Sequence, residues 1–313
     1  MSQAVELKAP DITPYRKGNT GIPYATTFRA SAPGPHVMVN ALVHGNELCG
    51  AIALDTLFKA NIRPRRGSLT FSFANVAAYE RFDPANPAAS RFVDEDFNRV
   101  WSPDVLDGSR DTVETRRARE MRPLIDTVDL LLDIHSMQRL SHPLALCGPT
   151  RKGRALARAM RVPVYVVSDQ GHKAGVRLRD YAGFGTENGA KCSALVECGQ
   201  HWKADTGRVA IQSALRFLLA VEAITPEDAA PLLEAEPPTQ RFIEVTHAVT
   251  IAHEPFVFAE PYVGLEVIPK AGTVIARDGA EAVRTPYDSC VLVMPSMRLT
   301  KGLTAVRLGR FVD

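Results

Sequence analysis

Residues 36–43 read HVMVNALV, an apolar run with almost no polar alternation. A strand of that kind must be covered on both faces, which demands a sheet with a layer of helices on each side. Residues 128–134 (VDLLLDI) repeat the pattern, and 68–74 (SLTFSFA) give a further strand. Shorter strands are predicted at 144–147, 162–167 and 193–196. Between them, helical spacing is predicted over 48–60, 152–160 and 205–224, and over 112–125 with a stop or kink near Pro123. The first 30 residues are polar, with Pro and Gly, and suit an edge strand or hairpin. Strands alternating with helices make this an α/β chain with a mixed sheet flanked by helices.

The pattern changes near residue 225. Residues 226–239 are rich in Pro, Ala and Glu and read as a linker or loose helix. From 241 onward, short apolar runs are separated by Gly, Pro and Asp turns, which predicts a small all-β domain. The expected division is a catalytic domain over 1–225 and a β-rich domain over 240–313.

The chain has 313 residues, enough to bury a large core without a structural metal or disulfides, so a metal site here reads as functional. Its 37 basic and 35 acidic residues leave a net charge of +2, which gives no electrostatic case for nucleic acid or a membrane surface. The one basic cluster, Arg116, Arg117, Arg119 and Arg122, is interrupted by acids and reads as a solvated helix face. No run approaches the roughly 18 apolar residues of a membrane span. The N-terminus lacks the apolar core of a signal peptide. Five cysteines, an odd number with no C-x-x-C pair, fit a reduced, cytoplasmic protein. A small-molecule substrate is the expected partner, and homo-oligomerisation is left open.

The first apolar strand is followed directly by His44-Gly45-Asn46-Glu47 and then a helix. Active sites of open α/β sheets gather at the carboxyl ends of strands. In a tight turn, the spacing can aim one imidazole and one carboxylate at a common point, a donor set that suits catalytic zinc. The plainer reading makes Glu47 a helix-start carboxylate and His44 a satisfied buried histidine. The second strand also ends in a histidine, His135, which sits where His44 sits if the two strands are neighbours. Asp133 shares its face two residues earlier and either orients the His135 ring or pairs with an arginine elsewhere. Glu197 closes another apolar run (ALVEC), where a carboxylate is costly to bury without a partner or a proton to move. Arg91, Asn98 and Arg99 lie in RFVDEDFNR, which reads as a charge-balanced loop or as a binder of carboxylate or oxyanion.

HGNE at 44–47, RFVDEDFNR at 91–99, DIH at 133–135 and VECG at 196–199 together resemble the succinylglutamate desuccinylase/aspartoacylase family of zinc amidohydrolases, whose catalytic domain is zinc carboxypeptidase-like. The resemblance implies one zinc per chain on His44, Glu47 and His135. It implies that Glu197 shuttles protons, Arg91 polarises the scissile carbonyl, and Asn98 and Arg99 bind a substrate carboxylate. The implied reaction is hydrolysis of the amide of a small N-acylated amino acid. The alternatives are a zinc carboxypeptidase acting on peptides and a non-catalytic metal-binding relative. Phe97, where the family often has Leu, and Ser136-Met137-Gln138 depart from its pattern near the substrate. Arg177, Arg179, Tyr181 and Tyr287 are further candidates for substrate contact. The C-terminal run resembles a biotinyl/lipoyl-type fold without a modifiable lysine in Met294-Pro295-Ser296-Met297, and reads as a cap on the cleft.

Overall fold

The computed structural model describes residues 4–171 and 174–312. Eleven strands form one mixed sheet. Its left half runs β1 (Ala25–Arg29), β3 (Ser68–Phe73), β2 (His36–Ala41), β4 (Leu130–Met137) and β7 (Cys192–Gln200). It continues through β5 (Leu144–Leu146), β6 (Tyr165–Ser168), β8 (Arg241–Thr250), β14 (Thr304–Val312), β13 (Cys290–Val293) and β10 (Glu266–Ile268). β3, β2, β4 and β7 are mutually parallel, while β1 closes the edge antiparallel to β3. A separate antiparallel sheet is formed by β12 (Glu281–Arg284), β11 (Val274–Asp278) and β9 (Phe256–Phe258). The fold is thus mixed α/β with an antiparallel C-terminal β region.

The apolar runs are strands because both of their faces are covered. Val37, Val39 and Ala41 of β2 face a core shared with the helices Leu48–Lys59, Arg151–Met160 and Asp205–Ala220. Met38 of β2 and Leu131 of β4 face the opposite core, built on the helix Val113–Ile125 with Phe97 and Trp101. Gly50 lets the first helix press onto the sheet, since a Cβ there would lie 2.8 Å from that of Ala41.

Some local expectations are refined. The edge strand foreseen in the first 30 residues is β1, with residues 1–3 outside the described range. The helix containing Pro123 runs on to Ile125, although Pro123 has no N–H to give the Arg119 carbonyl, and it ends two residues later. Arg117 and Arg119 do not simply face solvent. Arg117 donates to the carbonyls of Ala74, Phe73 and Pro23, and Arg119 to those of Leu106, Val105 and Gly108, so both fasten loops to the helix. Segment 226–239 begins with a short helix, Pro226–Ala229, capped by Thr225. Gln212 and Arg216 of the long helix then bind the backbone of Leu232, Glu234 and Ala235. No helix among the described residues is long and apolar enough to cross a membrane.

Candidate active site

Parallel pairing sets the site. β4 lies between β2 and β7, with Asn40 opposite Asp133 and His135 opposite Glu197. Side chains two apart share a face, so Asn40, Asp133, His135 and Glu197 all project from the side of the sheet away from the three-helix layer. β7 runs through Glu197 to Gln200, paired with β5 at residues 195–197 and with β4 as far as Gln200. The glutamate therefore sits within a strand, buried but open to the cavity. After β2 the chain turns sharply, with Leu42 in the left-handed region at φ +60°. Gly45 follows in a crevice where a Cβ would come within 2.3 Å of the Ala78 carbonyl carbon. This turn delivers His44 and then Glu47, the residue that precedes the first helix.

One atom from each of His44, Glu47 and His135 falls within 4.8 Å of the others, and all three residues are buried. His44 Nδ1 is 2.7 Å from Glu47 Oε1, and His135 Nδ1 is 3.0 Å from Glu47 Oε2. The outer nitrogens are held from behind. His44 Nε2 donates to Asp96 Oδ1 at 2.9 Å and His135 Nε2 to Asp133 Oδ2 at 2.9 Å. These bonds turn each Nδ1 toward Glu47; a bound metal would displace the protons there and take the Nδ1 lone pairs. Burial opposes charge on Glu47, but the two imidazoles outweigh it and hold its carboxyl well below the usual range. Burial likewise opposes charge on His135, and Asp133 and Glu47 outweigh it, keeping the ring protonated well above its ordinary value. Glu47 Oε2 is buried with the His135 ring 3.0 Å away but no well-aligned hydrogen bond. Two imidazoles and a carboxylate whose opposed charges are held this close form a donor set that fits a cation of the zinc type.

Asp133 is doubly used, since its Oδ1 accepts from Asn40 Nδ2 at 2.8 Å, and Asn40 Oδ1 in turn accepts from Ser72 Oγ at 2.5 Å. Asp133→Asn offers one acceptor where two donors converge, so either Asn40 or His135 loses its bond. Metal affinity is expected to fall about 10- to 100-fold. Titration against a competing chelator reads this directly.

Glu197 Oε2 is also buried without a partner. Burial pushes the Glu197 carboxyl up to about 8, against the pull of His135. Arg91 reaches Asp96 Oδ2 at 3.2 Å and lies 3.7 Å from Glu47 Oε1. Asn98 Oδ1 accepts from the Leu178 backbone at 3.0 Å, so the group it can offer a ligand is its Nδ2 amide. Burial pushes the Arg99 guanidinium down to about 10. All seven sequence-predicted residues line one cavity of about 390 Å³.

Of the further candidates, Arg177 lines the cavity, paired with Asp169 and Asp180. Arg179 is buried against Asp180. Tyr181 is tied to Asp126 and Tyr287 to Thr246, away from the cavity. Sequence reading missed Asp96, although its place two residues before Asn98, whose N–H it accepts, marks a side chain fixed by its own turn. It also missed Arg139, Arg298 and Arg307 in the cavity wall, which no local pattern distinguishes from surface arginines.

The chain matches the catalytic-domain model of the succinylglutamate desuccinylase/aspartoacylase family over residues 33–225. Its fold is similar to that of a succinylglutamate desuccinylase from Vibrio parahaemolyticus, with TM-score 0.70 and 17% identity over 93% of this chain and 87% of that one. It is similar to the ectoine utilization protein EutE from Ruegeria pomeroyi, with TM-score 0.63 and 17% identity over 91% and 88%. An aspartoacylase family protein from Mesorhizobium loti gives TM-score 0.62 and 16% identity over 93% and 90%. No curated protein matches the sequence. The match spans well over half of the 313 residues, and the chain belongs to the succinylglutamate desuccinylase/aspartoacylase family of hydrolytic deacylases.

Proposed function

We propose that the chain hydrolyses the amide bond of a small N-acylated amino acid, using one zinc ion on His44, Glu47 and His135. The observation that carries this reading is the pairing of His135 with Glu197 across β4 and β7, which sets an unpartnered buried carboxyl beside a cation site. When bound, zinc supplies a Lewis acid at the triad. Glu197 takes a proton from the attacking water and returns it to the departing nitrogen. Arg91, anchored by Asp96, donates to the oxygen on which negative charge develops. Asn98 Nδ2 and Arg99 hold the substrate's carboxylate.

The cavity wall supports a small anionic substrate. Six arginines line it against the carboxyl groups of Glu47, Asp96 and Glu197. Its far wall comes from the segment between β13 and β14, including Met294 and Arg298. We accordingly read 240–313 as a domain that narrows the cleft of a catalytic domain over 1–225, with 226–239 joining them. A cytoplasmic setting suits the five cysteines, all free thiols and all buried.

The test is to purify the protein, measure bound metal, and screen N-acetyl, N-succinyl and N-formyl amino acids for amine release. About one zinc per chain and release from at least one of these substrates is expected. Faster cleavage of peptides longer than a dipeptide would favour the carboxypeptidase alternative. A metal-loaded protein inert toward the whole panel would favour the binding-protein alternative.

A further inference from the structure

We propose that His201 and Trp202 are positioning residues that brace the two ligand-bearing segments, 44–47 and 135–137, against each other and so set the geometry in which a cation is held. The inference rests on His44, Glu47 and His135 being the cation site. β4 and β7 run in register as far as His135 opposite Glu197, and the next pair is Met137 opposite Gln200. Two steps along β4 thus match three along β7. Gly199, in the left-handed region at φ +110°, lies in the extra step. The bulge carries the chain past the end of the ladder with His201 and Trp202 beside the ligand segments.

Bonds from this dipeptide reach both segments. His201 N donates to the Met137 carbonyl at 2.8 Å, and His201 Nδ1 lies 2.8 Å from Ser136 Oγ, on the residue after His135. Trp202 Nε1 donates to the Asn46 carbonyl at 3.2 Å, between His44 and Glu47. The turn is also held by Gly45 N donating to the Arg91 carbonyl at 3.1 Å and Glu47 N to the His44 carbonyl at 3.2 Å. The Trp202 bond ties that turn to the strand of Glu197. The dipeptide is itself fixed from outside. The Trp202 carbonyl accepts from Glu6 N at 2.9 Å, and Trp202 N donates to Gln200 Oε1 at 3.2 Å. Its indole packs in the core on the side of the three helices. Burial pushes the His201 ring down to about 3, so the ring is neutral and carries one N–H. Nε2 has no partner, and an orphaned buried N–H is rarer than an orphaned acceptor. The proton therefore belongs on Nδ1, and Ser136 Oγ accepts it. Both side chains are buried and neither lines the cavity, so they act on a bound cation only through the segments they hold. Ligands fixed in this way need little rearrangement on binding, which is how outer partners raise metal affinity.

Two readouts test the brace apart from turnover: zinc affinity against a competing chelator, and the visible spectrum of the cobalt-loaded protein, which reports ligand geometry. Trp202→Phe keeps an aromatic ring and removes the N–H. His201→Leu removes the bond to Ser136, and His201→Asn restores a donor in the place of Nδ1. Trp202→Phe combined with His201→Leu should bind zinc at least about tenfold more weakly and shift the cobalt bands, each single variant should go part of the way, and His201→Asn should stay within about twofold of the unaltered protein. Leu218→Ala, which opens a cavity in the same core, should lower the melting temperature and leave both readouts unchanged. Should the combined variant not fold, the single variants are read in the same way. Parental zinc affinity and cobalt spectrum in both Trp202→Phe and His201→Leu would overturn the brace, as would an equal loss in Leu218→Ala. An unaltered protein that takes up neither metal would overturn the cation site and the brace with it.

Discussion

Glu197→Gln is expected to retain zinc and lose turnover by about 10²–10⁴-fold. The substitution keeps the shape of the side chain and removes its ability to accept a proton. Structure offers little reason for collateral damage. Glu197 Oε2 makes no hydrogen bond, and the backbone of residue 197 is held on both sides by β4 and β5. An amide there leaves the ladder untouched. A variant equal to the parent in kcat, with zinc content confirmed, would remove Glu197 from the mechanism. The pH profile carries a second check. Burial raises this carboxyl to about 8, so in the metal-free protein it keeps its proton through neutral pH. Only the ionised form accepts a proton from water, so kcat/KM should rise with pH. A cation on the neighbouring triad attracts the carboxylate and lowers its pKa, which places the midpoint of that rise below 8. For stability the sign is opposite. An acid whose folded pKa lies above its unfolded value favours the native state at low pH. The metal-free protein should therefore lose that contribution as pH climbs from about 4.5 toward 8.

The parts of this molecule that were legible in the sequence are those in which a local pattern has one physical solution. An apolar run such as HVMVNALV, too short for a buried helix, suits a doubly covered strand, and two such runs leading into histidines become a site once they are neighbours, as β2 and β4 are. Period-two alternation placed Asp133 behind His135 correctly. Asp96 was not legible, because its bond to His44 joins residues 52 apart through a loop whose path no periodicity encodes. Arg298 was less so. Its position depends on β14 and β13 pairing in the same sheet as β7, a contact between distant parts of the chain. The helix through Pro123 shows a milder case: proline marks a stop or kink but does not fix which residue is last, and the helix runs two residues beyond it.

Glu47→Ala is expected to lose zinc while the protein still folds. Removing an outer partner of a ligating histidine costs about 10- to 100-fold in metal affinity, so removing a ligand itself should cost more than about 100-fold. Glu47 is the pivot of the triad, since its two oxygens meet the Nδ1 atoms of both histidines. Without it, two imidazoles whose rings stand 5.4 Å apart face each other with no negative charge between them. Folding should survive for a specific reason. Glu47 occupies the N-cap position of the helix Leu48–Lys59, but its side chain makes no capping bond there. The helix therefore loses no cap, and Leu48, Leu54 and Leu57 keep their places in the core. The two consequences separate in measurement. Circular dichroism should report an unchanged fold, while metal analysis after dialysis should find the variant empty under conditions that leave the parent loaded. His135→Ala should behave alike for metal, and Asp133→Asn should fall between. If Glu47→Ala kept stoichiometric zinc with parental affinity, the cation would have to sit elsewhere, and the roles given to His44, His135 and Glu197 would fall with it.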